Sequence, residues 1–256
     1  MMSSKREVAI SIALITLNEE DRLSACLQSV SWAGDIVVVD SDSSDRTAEI
    51  ARSFGARVFN EPWRGFGAQK QFAIEQCRGD WILLLDADER LSPECAREIK
   101  KVVNSPLYQA YSLPRKNFFM GRWIKHAGWW PDRTIRLFKR GTAHMPAQLV
   151  HESLQANGRV GELVSPIIHY PFRNLSQMMQ KMDKYSSAGA LELYNKGQSS
   201  SYLKAISRSA WAFFYNYLLR GGFWDGGPGL VIAISDAVNK FFKYAKLREL
   251  QGVECK

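Results

Sequence analysis

Trp81-Ile82-Leu83-Leu84-Leu85-Asp86-Ala87-Asp88 is an apolar run that ends abruptly in two carboxylates. It reads as a short, buried β-strand whose end delivers Asp86. Asp86 and Asp88 are two residues apart, so extended geometry carried past the strand would lean both side chains to one side. Two converging carboxylates suit a hard divalent cation, Mg²⁺ or Mn²⁺, able to bridge to a diphosphate. An isolated Asp-x-Asp is more often a solvated loop after a core strand. Its meaning therefore depends on what the neighbouring segments end in.

Upstream, strand and helix signals alternate. Val8 to Leu17 reads as a buried strand, and Leu23, Cys26, Leu27 and Val30 then recur at helical spacing. Asp35 to Val39 is a β-branched run ending at Asp40, and Ser43 or Ser44 can cap a helix through Phe54 that Gly55 stops. Ala56 to Phe59 leads through Gly65-Phe66-Gly67 into a helix from about Ala68 to Cys77. Pro93 suits the first turn of a helix ending near Val103. This order predicts an α/β fold with a doubly wound, mostly parallel sheet, in which ligands bind at the carboxyl ends of the strands. Asn18, Asp40, Asp42, Asp86 and Asp88 all fall at such ends.

Beyond Ser105 the pattern changes. Tyr108 to Leu113 and Thr134 to Phe138 read as strands, separated by an aromatic loop from Asn117 to Asp132. After Pro171 the chain turns helical, with Leu175, Met178, Met179, Met182 and Tyr185 predicted on one packed face. Two further helices are expected, near Tyr202 to Leu219 and Leu230 to Leu250, around the Gly-rich turn Gly221 to Gly229. The division that follows is a nucleotide-binding and catalytic domain over 1–172 and a helical, basic-aromatic region over 173–256.

The bulk numbers narrow the class. With 256 residues, 46% of them hydrophobic, the chain can bury a full core. The four cysteines, Cys26, Cys77, Cys95 and Cys255, show no metal-ligand spacing and read as reduced thiols in the cytoplasm. Ser3-Ser4-Lys5-Arg6 before the first apolar run could open a signal peptide, but the run passes straight into Asn18-Glu19-Glu20-Asp21, which favours a strand. No stretch reaches the roughly 18 apolar residues of a membrane span. The formal charge is +8, and from Arg173 onward 12 Lys/Arg stand against 6 Asp/Glu. Such a region can meet nucleic acid, anionic lipid or an acidic substrate.

The Ser/Asp cluster Asp40-Ser41-Asp42-Ser43-Ser44-Asp45 follows the second strand as Asp86-Ala87-Asp88 follows a later one. Its serines suit turn and cap chemistry. Asp40 is better placed to accept hydrogen bonds from a base or ribose. No GxGxxG follows the first strand, and Lys70 stands where Gly65-Phe66-Gly67 would need a third glycine, which disfavours hydride transfer. A nucleotidyltransferase would open with a glycine-rich phosphate loop where Thr16-Leu17-Asn18-Glu19-Glu20 stands. A non-catalytic nucleotide or nucleic-acid binding module is disfavoured too, because no nucleic-acid motif accompanies the charge.

Three blocks together, Ile12-Ala13-Leu14-Ile15-Thr16-Leu17-Asn18-Glu19-Glu20, Val37 to Thr47 and Gly79 to Glu89, resemble the inverting family 2 glycosyltransferases of GT-A fold. Trp129-Trp130-Pro131-Asp132, Arg136-Leu137-Phe138, Val150-His151-Glu152 and the closing Lys243-Tyr244-Ala245-Lys246-Leu247 resemble the subgroup that adds β-1,4-linked glucose to the inner-core heptose of lipopolysaccharide. The resemblance implies a UDP-sugar donor, a lipopolysaccharide core acceptor and a bound Mg²⁺ or Mn²⁺. It implies that Ile15, Thr16 and Asn18 line the uridine pocket, that Asp40 faces the uracil, and that Lys70 stands where the family often has an arginine near the nucleotide. Asp88 would ligate the metal, while Asp86 would touch the ribose or a metal-bound water.

The family's catalytic base is an Asp or Glu beyond the Asp-x-Asp. Glu152 is the first choice, beside His151, which reads either as a metal or phosphate partner or as an ordinary polar residue held by a backbone bond, and Asp132 is the second. Arg133 and Arg136 read either as phosphate contacts or as surface ion pairs. Trp123, Trp129 and Trp130 could stack on sugar rings, although aromatic clusters more often pack. The basic-aromatic helices suit an anionic membrane surface, which would place the enzyme peripherally at the inner face of the inner membrane, and packing against the catalytic domain or a second subunit would explain the same stripe equally well. A polyprenyl phosphate or another cell-surface glycan is the alternative acceptor.

Overall fold

A computed structural model of the chain describes residues 9–146 and 153–253. Through the first hundred residues strand and helix alternate: β1 (Ile10–Thr16), α1 (Glu20–Ser29), β2 (Asp35–Asp40), α2 (Thr47–Ser53), β3 (Arg57–Asn60), α3 (Phe66–Glu75), β4 (Trp81–Asp86), β5 (Glu89–Leu91) and α4 (Pro93–Asn104). Then come β6 (Ala110–Phe119), β7 (Arg122–Trp123), β8 (Asp132–Lys139), β9 (Ala143–His144), β10 (Gln155–Ala156), β11 (Val160–Glu162) and β12 (Ile167–His169). The helices α5 (Leu175–Asn195), α6 (Tyr202–Phe214) and α7 (Gly226–Val253) follow, with a π-helical turn at Tyr215–Leu219 and a 3₁₀ turn at Gly222–Asp225 between α6 and α7.

The chain forms two compact units, residues up to Arg115 with Asp132–His169, and Lys116–Pro131 with Tyr170 onward. Lys116–Pro131, which takes in the end of β6 and the aromatic segment after it, thus groups with the helices.

In the first unit the large sheet runs β3-β2-β1-β4-β8-β6-β12-β5. β3, β2, β1 and β4 are parallel, as the βα alternation predicts, whereas β8 pairs antiparallel with both β4 and β6. β5 follows β4 after two residues yet pairs with β12 at the far end of the order, so the sheet curls. The near-continuous apolar runs of β1, β2 and β4 are explained by layers on both faces. Ile12, Leu14, Val38, Leu83 and Leu85 pack with Leu23 and Leu27 of α1 and Ile99 of α4, while Ala13, Val37, Val39, Ile82 and Leu84 pack with Ala73 and Ile74 of α3.

The amino ends of these strands are tied by one polar cluster. Ser11 Oγ donates to Asp35 Oδ2 at 2.6 Å and accepts from Gly79 N at 2.7 Å, and Arg57 forks onto the same Asp35 carboxylate. Burial would raise the Asp35 pKa, but the hydrogen bonds from Ser11, the Arg78 amide and Arg57 outweigh it and hold the carboxyl below its usual range. Gly79 is required by this closeness: a Cβ there would stand 2.7 Å from Ser11 N and 2.8 Å from Ala9 O.

Helix starts follow sequence chemistry in part. Ser92 caps α4 by accepting from Cys95 N, with Pro93 in the first turn as expected. The expected cap of α2 by Ser43 or Ser44 does not form, because both serines bind elsewhere and α2 starts only at Thr47. Cys26, Cys77 and Cys95 are buried free thiols, and burial pushes the Cys77 and Cys95 thiols up to about 12.

The second unit has its own small core, in which Phe119, Ile124 and Ala127 pack with Met178 of α5 and Ile232 of α7. The predicted packed stripe of α5 is only partly realised. Met178 is buried, whereas Leu175, Met179 and Tyr185 are exposed, and Ser186 and Ala190 complete the buried face.

Candidate active site

β1, β2 and β4 are parallel neighbours, with Thr16 beside Asp40 and Ile15 beside Asp86 in register. Their carboxyl ends therefore gather Thr16, Asn18, Asp40 and Asp86 at one edge. Asp40 is buried and organises the loop after β2: it accepts from Thr16 Oγ1 at 2.9 Å, Ser43 Oγ at 2.6 Å and Ser43 N at 2.9 Å. Asn18 knits the neighbouring loop to it, accepting from Ser44 N at 2.9 Å while its own amide donates to Ser43 Oγ at 2.8 Å. Asn18 and Asp42 both hold left-handed backbone, with φ of 54° and 58°. Asn and Asp tolerate that region better than most residues. Gln69 of α3 donates to Ser41 Oγ and to Glu61 O, closing the floor of the loops.

At the end of β4 the chain turns at Ala87-Asp88, so extended geometry does not persist and the two carboxylates have different partners. Asp86 is gripped by Lys70 Nζ at 2.6 Å and by Arg136 Nη2 at 2.6 Å. Arg136 also holds the wholly buried Glu89 at 2.6 Å, Arg115 Nη1 lies 3.7 Å from Glu89, and Arg115 Nη2 reaches Asp132 at 2.7 Å. The result is a chain of alternating charge: Lys70, Asp86, Arg136, Glu89, Arg115, Asp132. Burial would raise the Asp86 pKa, but the Arg136 and Lys70 charges hold it well below the usual carboxylate range. Burial would likewise lower the Arg136 pKa, but its two carboxylates raise it. Arg136 is thus not a surface ion pair but a buried link between strands. Arg133 binds Leu163 O and Glu162.

Asp88 faces another way. His169 Nε2, at the end of β12, lies 3.5 Å from Asp88 Oδ1, and Arg22 Nη1 of α1 lies 3.7 Å from Asp88 Oδ2. Among the described residues no three His, Cys, Asp or Glu side chains converge as a metal site. A carboxylate and an imidazole at that separation nevertheless fit two adjacent ligands of one octahedral cation, which stand about 3 Å apart at ~2.1 Å bond lengths. Mg²⁺-type sites usually complete their shell with water and substrate phosphate rather than a full protein cage. His151 and Glu152 lie outside the described residues.

The sequence by itself does not bring His169, Arg22, Glu89 or Arg115 to the site. His169 ends the apolar pair Ile167-Ile168 as Asp86 ends a longer run, a signal that was present but short. Of the aromatic residues, Trp129 packs against Phe119 and Phe172, and Trp123 meets Trp130 edge-on at 5.3 Å.

Residues 11–155 match the family model described as glycosyl transferase family 2. The chain belongs to glycosyl transferase family 2. It is 30% identical to the lipopolysaccharide core biosynthesis glycosyltransferase LpsC of Rhizobium meliloti, over 98% of this chain and 96% of that protein. Glycosyltransferase RT0209 of Rickettsia typhi is 33% identical, over 94% of this chain and 87% of that one. Among solved structures, S. aureus TarS 1-349 in complex with UDP-GlcNAc superposes with a TM-score of 0.51 at 14% identity, covering 96% of this chain and 92% of that one, a likeness of fold. This family 2 glycosyltransferase thus has the GT-A fold with a helical C-terminal region, and the site at the carboxyl edge of β1, β2 and β4 lies within the family match.

Proposed function

We propose that the protein is an inverting hexosyltransferase that moves glucose from UDP-glucose onto a heptose of the lipopolysaccharide inner core. The observation that carries this reading is the Asp88–His169 pair beside the Asn18–Asp40 loops in a chain similar along nearly its whole length to LpsC. Ile15, Thr16 and Asn18 line the uridine with their backbone, and the Asp40 carboxylate fixes the loop that meets the base. Lys70 and Arg22 stand beside Asp86 and Asp88, where their charge meets the diphosphate. Asp88 and His169 would hold Mg²⁺ or Mn²⁺, which offsets the charge of a departing UDP. Glu152 or Asp132 takes the proton of the acceptor hydroxyl, whose oxygen attacks the anomeric carbon opposite the leaving UDP and inverts it. The ion-pair chain from Lys70 to Asp132 keeps these side chains in place during the transfer.

The acceptor is lipid-anchored, and the second unit offers a face suited to a membrane surface. Leu203, Ile206, Trp211, Phe214 and Leu218 are exposed along α6 and the turn after it, with Arg208 and Arg220 on the same segment. No helix among the described residues is long and apolar enough to cross a membrane. The reading places the enzyme peripherally at the cytoplasmic face of the inner membrane.

The test incubates the protein with radiolabelled UDP-glucose, metal and heptose-terminated lipopolysaccharide, and follows label into the lipid fraction. Asp88→Asn is expected to lose at least about 100-fold of the rate, on the scale of removing one group that stabilises leaving-group charge. Full transfer by that variant, or no response to EDTA, overturns the mechanism. Removal of the base costs about 10²–10⁴-fold, so comparing Glu152→Gln with Asp132→Asn assigns it.

A further inference from the structure

Within the second unit, a cleft of about 490 Å³ is lined by Arg122, Trp123, Lys125, His126, Trp224 and Asp225. Its construction differs from a solvated surface groove. Asp225 is buried, and its carboxylate accepts from the amides of Lys125 and His126 and from the His126 ring at 3.2 Å. It thereby pins the 125–126 segment to the turn before α7. With its oxygens committed to that task, Asp225 pairs with neither Arg122 nor Lys125.

Among the described residues those two cations have no carboxylate partner. Arg122 Nη2 instead donates to the carbonyl of Trp224 at 3.1 Å, which holds the guanidinium at the cleft wall. Lys125 Nζ sits 4.6 Å from the Trp123 ring centre, and Lys116 Nζ sits 4.3 Å from the same centre. The two ammonium groups are therefore within about 9 Å of each other, about one Debye length at physiological salt, and repel. In the lining, Arg122 is held by a carbonyl and Lys125 by a cation–π contact, with Lys116 on the same indole outside the lining, while the one lining carboxylate, Asp225, is taken up by the 125–126 amides and the His126 ring. Trp224 adds a ring 67% exposed at the rim.

A cationic wall and an exposed indole recognise a ligand that carries both an anionic group and an apolar sugar face. We propose that this cleft is a binding site for a phosphate-bearing saccharide, separate from the nucleotide site. The phosphate lies against Arg122 and Lys125, and a pyranose ring lies on Trp224. As a deepening of the proposed function, which it rests on, the cleft reads a phosphorylated sugar of the acceptor.

The experiment titrates the full-length protein with glucose 6-phosphate, glucose or inorganic phosphate, observing the indole N–H signals by NMR, with the Trp224 signal assigned through Trp224→Phe. Glucose 6-phosphate is expected to shift Trp224 saturably, with glucose at least tenfold weaker. The double variant Arg122→Gln/Lys125→Gln is expected to weaken glucose 6-phosphate at least tenfold while leaving UDP affinity unchanged. Absence of saturable binding, or a change under twofold in the double variant, overturns the proposal. Competition by UDP overturns it as well, because the sugar phosphate would then occupy the nucleotide site.

Flotation with phosphatidylcholine vesicles, with and without phosphatidylglycerol, forms a second arm. If the double variant loses anionic vesicles while the wild type ignores glucose 6-phosphate, the cleft reads a lipid headgroup and the saccharide proposal fails. Failure of the proposed function shows differently, as absent transfer with glucose 6-phosphate binding intact.

Discussion

Arg136→Met removes the cation that joins Asp86 to Glu89. Arg136 Nη2 lies 2.6 Å from a carboxylate oxygen of each, its side chain is 5% exposed, and that of Glu89 is wholly buried. Truncating one member of a buried ion pair typically costs about 3–5 kcal/mol, because a charge is left without compensation. Here the loss is tempered. Asp86 keeps Lys70 at 2.6 Å, and Glu89 keeps the Asp86 amide at 3.1 Å and Arg115 at 3.7 Å. The expected loss is therefore near the lower end, about 3 kcal/mol.

At about 2–4 °C per kcal/mol for a chain of this size, the melting temperature should fall by about 6–12 °C. Urea unfolding followed by circular dichroism at pH 7 measures the first quantity and calorimetry the second. The acid limb adds a second readout. Asp86 is held well below its free value of 3.8, so its contribution is present above about pH 4 and is lost as pH falls through the folded value. With only Lys70 remaining, the folded value rises, and the variant should lose stability at a higher pH than the wild type. Adding Glu89→Gln to Arg136→Met should recover part of the loss, since the buried group left behind is then neutral. A loss under 1 kcal/mol, or a double variant weaker than the single by the full cost of Glu89→Gln alone, would refute the picture of a coupled buried link.

Gly79→Ala should destabilise by about 1–3 kcal/mol, the usual cost of overpacking, because the new methyl meets the backbone of Ser11 and Ala9 as well as Ser11 Oγ; denaturant unfolding at neutral pH measures it, and a neutral effect would show that the β1–β4 junction yields. Asp236 of α7, which accepts from Asn216 at 2.9 Å, has its pKa raised by burial to about 6, against the pull of Lys240 and Arg220. A raised carboxyl pKa favours the folded state below the unfolded value of 3.8 and loses that advantage as pH climbs through about 6. Asp236→Asn should therefore stabilise by roughly 1–3 kcal/mol at pH 7–8, with the gain vanishing below pH 4 in a pH series of unfolding curves.

The parallel half of the sheet was legible because its information is local. Apolar runs bounded by Asp40 and Asp86 give β2 and β4, and Ser92-Pro93 gives the start of α4 from neighbouring residues alone. The loops at the strand ends were not legible in the same way. Ser43 and Ser44 look like helix caps until Asp40 takes one and Asn18 takes the other, the second across 26 residues. Competition between a local acceptor and a distant one is decided by packing, which propensity does not encode.

The same limit governs the charges. Lys70, Asp86, Glu89, Arg115, Arg136 and Asp132 come from α3, β4, β5, β6 and β8, and only the pairing of Arg115 with Asp132 follows from strand register. Sequence shows that carboxylates collect after strands, but not which cation each one meets. The turn at Ala87-Asp88 makes that distinction matter: it gives Asp86 to a buried scaffold and leaves Asp88 beside His169, which the chain supplies 81 residues later. Two aspartates that look equivalent in an Asp-x-Asp thus part into one bound into the buried ion-pair chain and one that lies beside His169 and Arg22, where we propose the metal and diphosphate bind. Substituting Asp86 should accordingly cost stability as well as activity, whereas the penalty at Asp88 should fall on activity.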